Sequence, residues 1–399
     1  MPSAATSRGL APPSPYAVTF GPELDLILAV CGDDRDGGNS ARLQDILRST
    51  HLNLARLLQL AEHHGLVPLL YRRLATALGA NRSAGLEAIR QQDKRNAHRT
   101  LWLTVELLNI SQHLAARGLE VLPYKGPVLA ESLYGNVALR QFSDLDLLVR
   151  APDLPALRSA LVELGYKPGL QLAQAAERAY LKSGYEFPFD GAQGRNLVEL
   201  KWQILPRFYS IAFEVDKFFE RAVGVDVAGH KLRTLCDQDL MLVLCVHAAK
   251  HGWVQLCWLR DIAQLARSQA LDWKALRLQA ERLGIARMVA VTFLLSHRLL
   301  ATALPRQLDV QGDAAAEVLA QRIVRQIAGD AEFNPESIGY FRLMMDLRER
   351  RRDRASLAWR LWVTPSAGEW SAIRLPGPLF PLYRVVRMFR LAARMACSI

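Results

Sequence analysis

Hydrophobic positions recur at helical spacing over most of the chain. Leu54, Leu57, Leu58 and Ala61 form one apolar stripe, and Val67, Leu70, Tyr71, Leu74 and Leu78 form another, both near the 3.6-residue period of an α-helix. His63-His64-Gly65 separates them as a helix–helix turn. A third stripe, Leu101, Val105, Leu108 and Leu114, closes at Arg117-Gly118, a basic residue followed by a glycine stop. The period then changes. Leu119–Tyr124 and Leu145–Val149 read as short buried strands with a helix from Pro127 to Tyr134 between them, its proline in the first turn where the missing N–H costs nothing. A helix over 153–164 follows. Tyr185–Asp190 and Leu197–Trp202 then flank a Gly-Ala-Gln-Gly turn and read as a hairpin. From about 206 to 345 the pattern is helical again, with Asp237 placed to cap the helix that carries Leu240, Val243, Leu244 and His247. The element order predicts an α+β chain: a leader over 1–20, a helical region over 21–118, a small mixed-sheet core over 119–205, a helical domain over 206–345 and a tail over 346–399.

Composition changes this picture in one place. The 399 residues are 50% hydrophobic and 22% charged, the balance of a folded globular protein. Fifty Lys+Arg against 39 Asp+Glu give +11, but residues 337–399 alone hold 12 Arg and 4 acids, so the body is nearly neutral. Within that segment Arg384, Arg387, Arg390 and Arg394 fall on one side of a helix opposite Val385, Val386, Phe389, Leu391 and Met395, a basic amphipathic pattern. The plainest expectation is a terminal helix packed on the body with its arginines in solvent. Peripheral contact of residues 376–399 with an anionic membrane surface is the sharper one. No aromatic-and-basic groove pattern accompanies the charge, which argues against nucleic acid as a partner. Five cysteines without a CxxC pair point to a reducing cytoplasm. The Pro/Ser/Ala-rich first residues lack the apolar run of a signal peptide.

The stretch that carries chemistry is Leu122–Val149. Its strand runs through Lys125-Gly126 straight into a helix. Glycine permits close backbone approach, the helix N-terminus offers free N–H groups, and the lysine adds a full charge, which together make a phosphate seat. Nineteen residues on, Asp144-Leu145-Asp146 opens a strand. Residues two apart on a strand point to the same side, so both carboxylates converge, and a divalent cation between them relieves their repulsion. Oxygen ligands beside a phosphate favour Mg²⁺. A third carboxylate is expected for metal-assisted phosphoryl chemistry. Glu199, an acid inside the apolar strand Leu197–Trp202, is the leading choice, with Glu186 and Asp190 as weaker ones.

Taken together, Lys125-Gly126, Tyr134, Arg140, the FSDLDLLV run at 142–149 and VELKW at 198–202 resemble the uncharacterised nucleotidyltransferase family of the DNA-polymerase-β-like superfamily. His247-Ala-Ala-Lys250-His251 with Trp258-Leu-Arg-Asp261-Ile262 is similar to that family's downstream block, and the likeness spans roughly residues 45–300. The resemblance implies a polymerase-β-like fold with Asp144, Asp146 and Glu199 as catalytic and metal-binding residues. It also implies an NTP attacked at its α-phosphorus by an acceptor hydroxyl or phosphate, with pyrophosphate as leaving group. Lys125, Gly126, Arg140, Lys201, Lys250 and His251 are the expected nucleotide contacts. Arg140 has a second, equally weighted reading as an ion-pair partner that orients Asp144. Lys201 departs from the pattern, standing where relatives tend to carry His, as a phosphate contact or as a partner of Glu199. Asp261 is expected to anchor its helix pair, and Trp253 and Trp258 to serve packing before base stacking. The leading function is thus an Mg²⁺-dependent nucleotidyltransferase acting on a small molecule, saccharide or modified peptide. The rivals are a toxin-type enzyme that nucleotidylates protein or tRNA, and a non-catalytic scaffold that docks through its Arg-rich tail.

Overall fold

The computed structural model describes residues 18–32, 38–49, 51–78, 84–191, 197–329, 334 and 337–397; the expected leader over 1–20 lies almost wholly outside them. Among the described residues five helices precede the sheet: α1 Pro22–Cys31, α2 Gly38–Ser49, α3 Leu54–His63, α4 Val67–Leu78 and the long α5 Ala84–Ala115. The α4 stripe faces the core as its period predicts, with Val67, Leu70 and Leu74 buried; of the α3 stripe Leu57 and Ala61 are buried, whereas Leu54 is exposed and Leu60 is buried in its stead. The α5 stripe is different. Leu101 and Val105 are exposed, and the buried line is Thr100, Leu103, Leu107, Ile110 and Leu114. Both lines have helical spacing, so periodicity alone did not say which one would meet a neighbour.

The sheet has the order β1-β2-β5-β4-β3, with β1 Leu122–Pro123, β2 Asp144–Leu148, β3 Lys167–Pro168, β4 Glu186–Asp190 and β5 Leu197–Lys201. Helices α6 Gly126–Tyr134, α7 Leu154–Glu163 and α8 Gln174–Ser183 connect these strands. β4 and β5 pair antiparallel as the expected hairpin, while β2 and β5 run parallel in the register Asp146↔Glu199. That register makes the site: acids 53 positions apart in sequence become lateral neighbours on the two central strands. Beneath them Val198, Leu200, Leu147, Phe187 and Trp202 build the sheet's core.

Downstream, α9 Val215–Arg221 leads into a hairpin, β6 Val223–Val227 with β7 His230–Thr234, inside a span read as continuously helical. The alternation Val223, Val225, Val227 and the Ala228-Gly229 turn, both at positive φ, are a hairpin signature that the surrounding helical periods masked. The helical body follows as α10 Asp237–Lys250, α11 Leu256–Leu265, α12 Trp273–Leu283, α13 Ala286–Leu300, α14 Ala314–Ala328 and α15 Ile338–Asp346. Cys236, one residue before Asp237, takes the cap position of α10 and makes no side-chain cap.

The C-terminal segment consists of α16 Arg351–Val363, α17 Ala367–Ala372 and α18 Tyr383–Cys397. It inserts Trp370 and Tyr383 into the sheet's core beside Tyr180. Its arginines do not all face solvent. Arg387 is buried, donating to the Leu361 carbonyl at 3.2 Å, and Arg387 and Arg390 both pair with the buried Glu369, at 3.5 and 3.4 Å. Val385, Met388 and Phe389 are exposed instead, Phe389 at 73%. The helix is rotated from its expected pose because the one acid of α17 draws the basic face inward. Among the described residues no helix is long and apolar enough to cross a membrane.

The α3–α4 turn supplies a pH-sensitive element. His64 is buried there, with Nδ1 3.2 Å from the Val254 carbonyl. Burial, reinforced by His63, pulls its pKa down to about 4. A histidine depressed in the folded state stays neutral there while the unfolded chain takes up a proton, so stability falls as pH drops from 6.5 towards 4. Between pH 7 and 5 the contribution is about 2 kcal/mol. Urea midpoints at the two pH values should therefore differ less in His64→Gln than in the wild type; an unchanged difference would exclude His64 as the source.

Candidate active site

Asp144, Asp146 and Glu199 meet. Each offers a carboxylate oxygen, and these oxygens lie within 4.8 Å of one another. The geometry follows from the strands: Asp144 and Asp146 share a face of β2 because they are two residues apart, and the parallel register brings Glu199 alongside Asp146. Asp146 is fully buried, whereas Asp144 and Glu199 are half-buried. Burial pushes Glu199 up to about 7, with Glu186 and Asp146 adding to it against Lys201. Burial, and then Asp146, likewise hold Asp144 above the ordinary carboxylate range. Asp146 behaves oppositely, because Lys125 and Lys201 overcome its burial and keep it well below that range. Hard oxygen donors, closely spaced and short of positive charge, fit a divalent cation such as Mg²⁺. Among the described residues this is the cluster of three or more potential ligands close enough to hold a metal.

Two lysines enter this cluster. Lys125 Nζ lies 3.1 Å from Asp146 Oδ2 and 3.1 Å from His247 Nδ1. An ammonium only donates, so His247 Nδ1 accepts and its ring proton resides on Nε2. Burial, and then the Lys125 charge, keep this imidazole neutral, far below its ordinary pKa. Lys201 Nζ pairs with Asp146 Oδ1, with Glu199 Oε2 at 2.6 Å and with Glu186 Oε2 at 3.5 Å. Burial alone would lower it, but Asp146, Tyr124 and the two glutamates hold it well above the usual lysine value. Of its two expected roles, the structure displays the ion pair with Glu199.

Gly126, the first residue of α6, has φ +57, and a Cβ there would stand 3.3 Å from the Asp144 carbonyl oxygen. Its glycine lets α6 start hard against β2, and the residue is not among those that line the cleft. Arg140 is buried and donates from Nε to Asp261 Oδ2 at 2.9 Å, while Tyr134 donates its hydroxyl to Asp261 Oδ1 at 2.7 Å. Arg140 thus pairs with Asp261 and not, as one reading had it, with Asp144, although it still lines the cleft. Asp261 holds α11 to α6, as expected of an anchor. Lys250 is absent from the cleft lining. Its Nζ stands 5.4 Å from the Tyr185 ring centre behind the acids, and burial, then Lys201, lower its pKa to about 8. Trp253 is buried in the core, its Nε1 donating to Thr292 Oγ1 at 2.9 Å.

Asp144 and Asp146 open onto a cleft of about 520 Å³, while Glu199 stands beside them outside its lining. One wall is aromatic: Trp258 stands 5.2 Å from the His247 ring and 5.3 Å from the His251 ring. Burial, and then Lys250, lower the pKa of His251 to about 3. The facing wall comes from α5, through Gln92, Arg95, Asn96 and Arg99, with Arg99 donating to the Ser143 carbonyl at 3.0 Å. The sequence reading did not include this wall. Its signal was legible as polar and basic residues spaced three and four apart on a helix upstream of the core, but nothing local ties that helix to the acids. Two charge signs facing an aromatic surface suit a ligand that carries both phosphates and a flat ring.

A sequence model of the uncharacterised nucleotidyltransferase family matches residues 50–301, more than half of the chain. No curated protein and no solved structure matches it.

Proposed function

Because the chain belongs to the uncharacterised nucleotidyltransferase family, a family of transferases, we propose that it moves a nucleoside monophosphate from an NTP to an acceptor hydroxyl or phosphate in an Mg²⁺-dependent reaction. The observation that carries this reading is the convergence of Asp144, Asp146 and Glu199 to within 4.8 Å, with Asp144 and Asp146 lining a cleft that also presents Lys125, Arg140 and Trp258.

In this reading Asp144 and Asp146 hold the Mg²⁺, which when bound supplies charge neutralisation at the α-phosphate. Glu199, whose pKa of about 7 suits proton transfer at neutral pH, takes the proton of the acceptor hydroxyl as its oxygen bonds to the α-phosphorus. The bond from the α-phosphorus to the bridging oxygen breaks, and pyrophosphate leaves. Lys125 turns from Asp146 and His247 to the triphosphate, Arg140 offers its remaining N–H groups, and Trp258 with His251 packs against the base. Lys201 and Lys250 sit behind the acids and act on their charge.

The acceptor is proposed to belong to the small-molecule, saccharide or modified-peptide class. The test incubates the full chain with each α-labelled NTP, Mg²⁺ and a panel of such acceptors. Label transfer and pyrophosphate release that stop on chelation are expected. Label in protein or tRNA alone would favour the toxin-type reading, and the absence of both nucleotide binding and pyrophosphate would favour the scaffold. The outward Val385, Met388 and Phe389 beside exposed Arg384 support the membrane contact of residues 376–399. Flotation with anionic liposomes should weaken severalfold in Phe389→Glu, and no change would end that reading.

A further inference from the structure

The acid cluster already contains a cation. Lys201 Nζ is placed among three carboxylates, touching Asp146 Oδ1, Glu199 Oε2 at 2.6 Å and Glu186 Oε2 at 3.5 Å. Its side chain is only 8% exposed. The backbone dictates this position. Lys201 follows Glu199 by two residues on β5 and so shares its face, and it stands directly opposite Glu186 on β4. The ammonium therefore fills the space between Glu199 and Asp146, where carboxylates of two adjacent strands would otherwise share a metal ion. On the other side of Asp146, Asp144 lines the cleft together with Lys125.

We propose that Lys201 is the fixed replacement for a second divalent cation, so that this site takes one metal ion, held by Asp144 and Asp146, where two-metal phosphoryl-transfer sites hold a pair about 3.5–4 Å apart. The proposal rests on the nucleotidyltransferase reading above and deepens it. Charge balance points the same way. Asp144, Asp146, Glu186 and Glu199 outnumber Lys125, Lys201 and Lys250 around them, an imbalance that calls for one further cation and not for two. A second ion would have to expel a buried ammonium from three ion pairs, and buried charges stripped of their partners are strongly disfavoured. Glu199 is left with Lys201 as its cation.

The test counts Mn²⁺ ions on the full-length protein by isothermal titration and by electron paramagnetic resonance, with one equivalent of an α,β-methylene NTP analogue present. One Mn²⁺ per chain, with no spin–spin coupling between ions, is expected for the wild type and for Lys201→Arg. Lys201→Gln should take up a second ion and show the broadened signal of a coupled pair; should it fold poorly, Lys201→Met provides the same vacancy without a new polar group. Two coupled ions on the wild type would overturn the proposal and leave the nucleotidyltransferase reading standing. A single ion on folded Lys201→Gln and Lys201→Met would overturn it as well. No ion on any variant, with or without the analogue, would overturn the functional reading together with it.

Discussion

Asp144→Asn should abolish nucleotidyl transfer while leaving the fold intact, whereas Asp146→Asn should damage both. The two acids stand two residues apart on one strand, but their surroundings differ. Asp144 is half-buried at the cleft, and burial together with Asp146 raises its pKa. A carboxylate whose folded pKa is raised is a net burden at neutral pH, so an amide there leaves the urea midpoint unchanged or slightly higher. Its loss removes one of the two groups proposed to hold the metal, and a fall in pyrophosphate release of about 10³-fold or more is expected. Asp146 is enclosed between Lys125 and Lys201, with side-chain exposures of 11%, 1% and 8% for the lysine, the acid and the second lysine. An asparagine there leaves two buried ammoniums facing a neutral amide, a loss of about 3–5 kcal/mol by analogy with other buried pairs broken on one side. The informative measurement is the pair: urea midpoint and pyrophosphate release on the same preparations. Asp144→Asn with wild-type turnover would remove the proposed chemistry, and Asp146→Asn with wild-type stability would mean that Glu199, Glu186 and His247 suffice as partners for the two lysines.

That division of labour was only partly legible in the sequence. The two aspartates, the strand that carries them and the β4–β5 hairpin follow from local rules, because alternation and turn residues act over a few positions. The pairing of Asp146 with Glu199 needed a parallel register between strands separated by two helices and two strands, and only the resemblance to a family supplied it. What stayed hidden was set by tertiary contact. Arg140 could be assigned to a phosphate or to Asp144, but its partner is Asp261, 121 positions away. Lys250 lies three residues after His247 and one before His251, which both line the cleft, yet the rotation of α10 turned it towards Tyr185. The α5 wall and the inward arginines of α18 share a cause: an amphipathic helix has a definite pattern, yet the side it buries depends on which charge or groove it meets. For α18 that was the single buried carboxylate of Glu369.

Asp261→Ala should be among the most destabilising single substitutions in the body of the protein. Asp261 is 1% exposed and receives both the Arg140 guanidinium and the Tyr134 hydroxyl, so it ties the helix behind the phosphate seat to the helix that carries Trp258. Its removal strands a buried guanidinium, which costs about 3–5 kcal/mol and should lower the urea midpoint accordingly. Asp261→Asn, which keeps an acceptor but not the charge, should lose less. The double change Arg140→Met with Asp261→Leu removes both charges, and an apolar replacement of similar size is expected to recover most of the stability. Activity then separates the two roles of Arg140. A folded double variant that still releases pyrophosphate at the wild-type rate would make Arg140 an anchor alone. A folded double variant slowed by about 10²-fold or more would show that the arginine, once held by Asp261, also meets the triphosphate, in keeping with the effect of a positioned charge at a phosphoryl centre. The second outcome is expected, because Arg140 lines the cleft while its hydrogen bond to Asp261 is made through Nε, so that bond does not use the terminal N–H groups of the guanidinium.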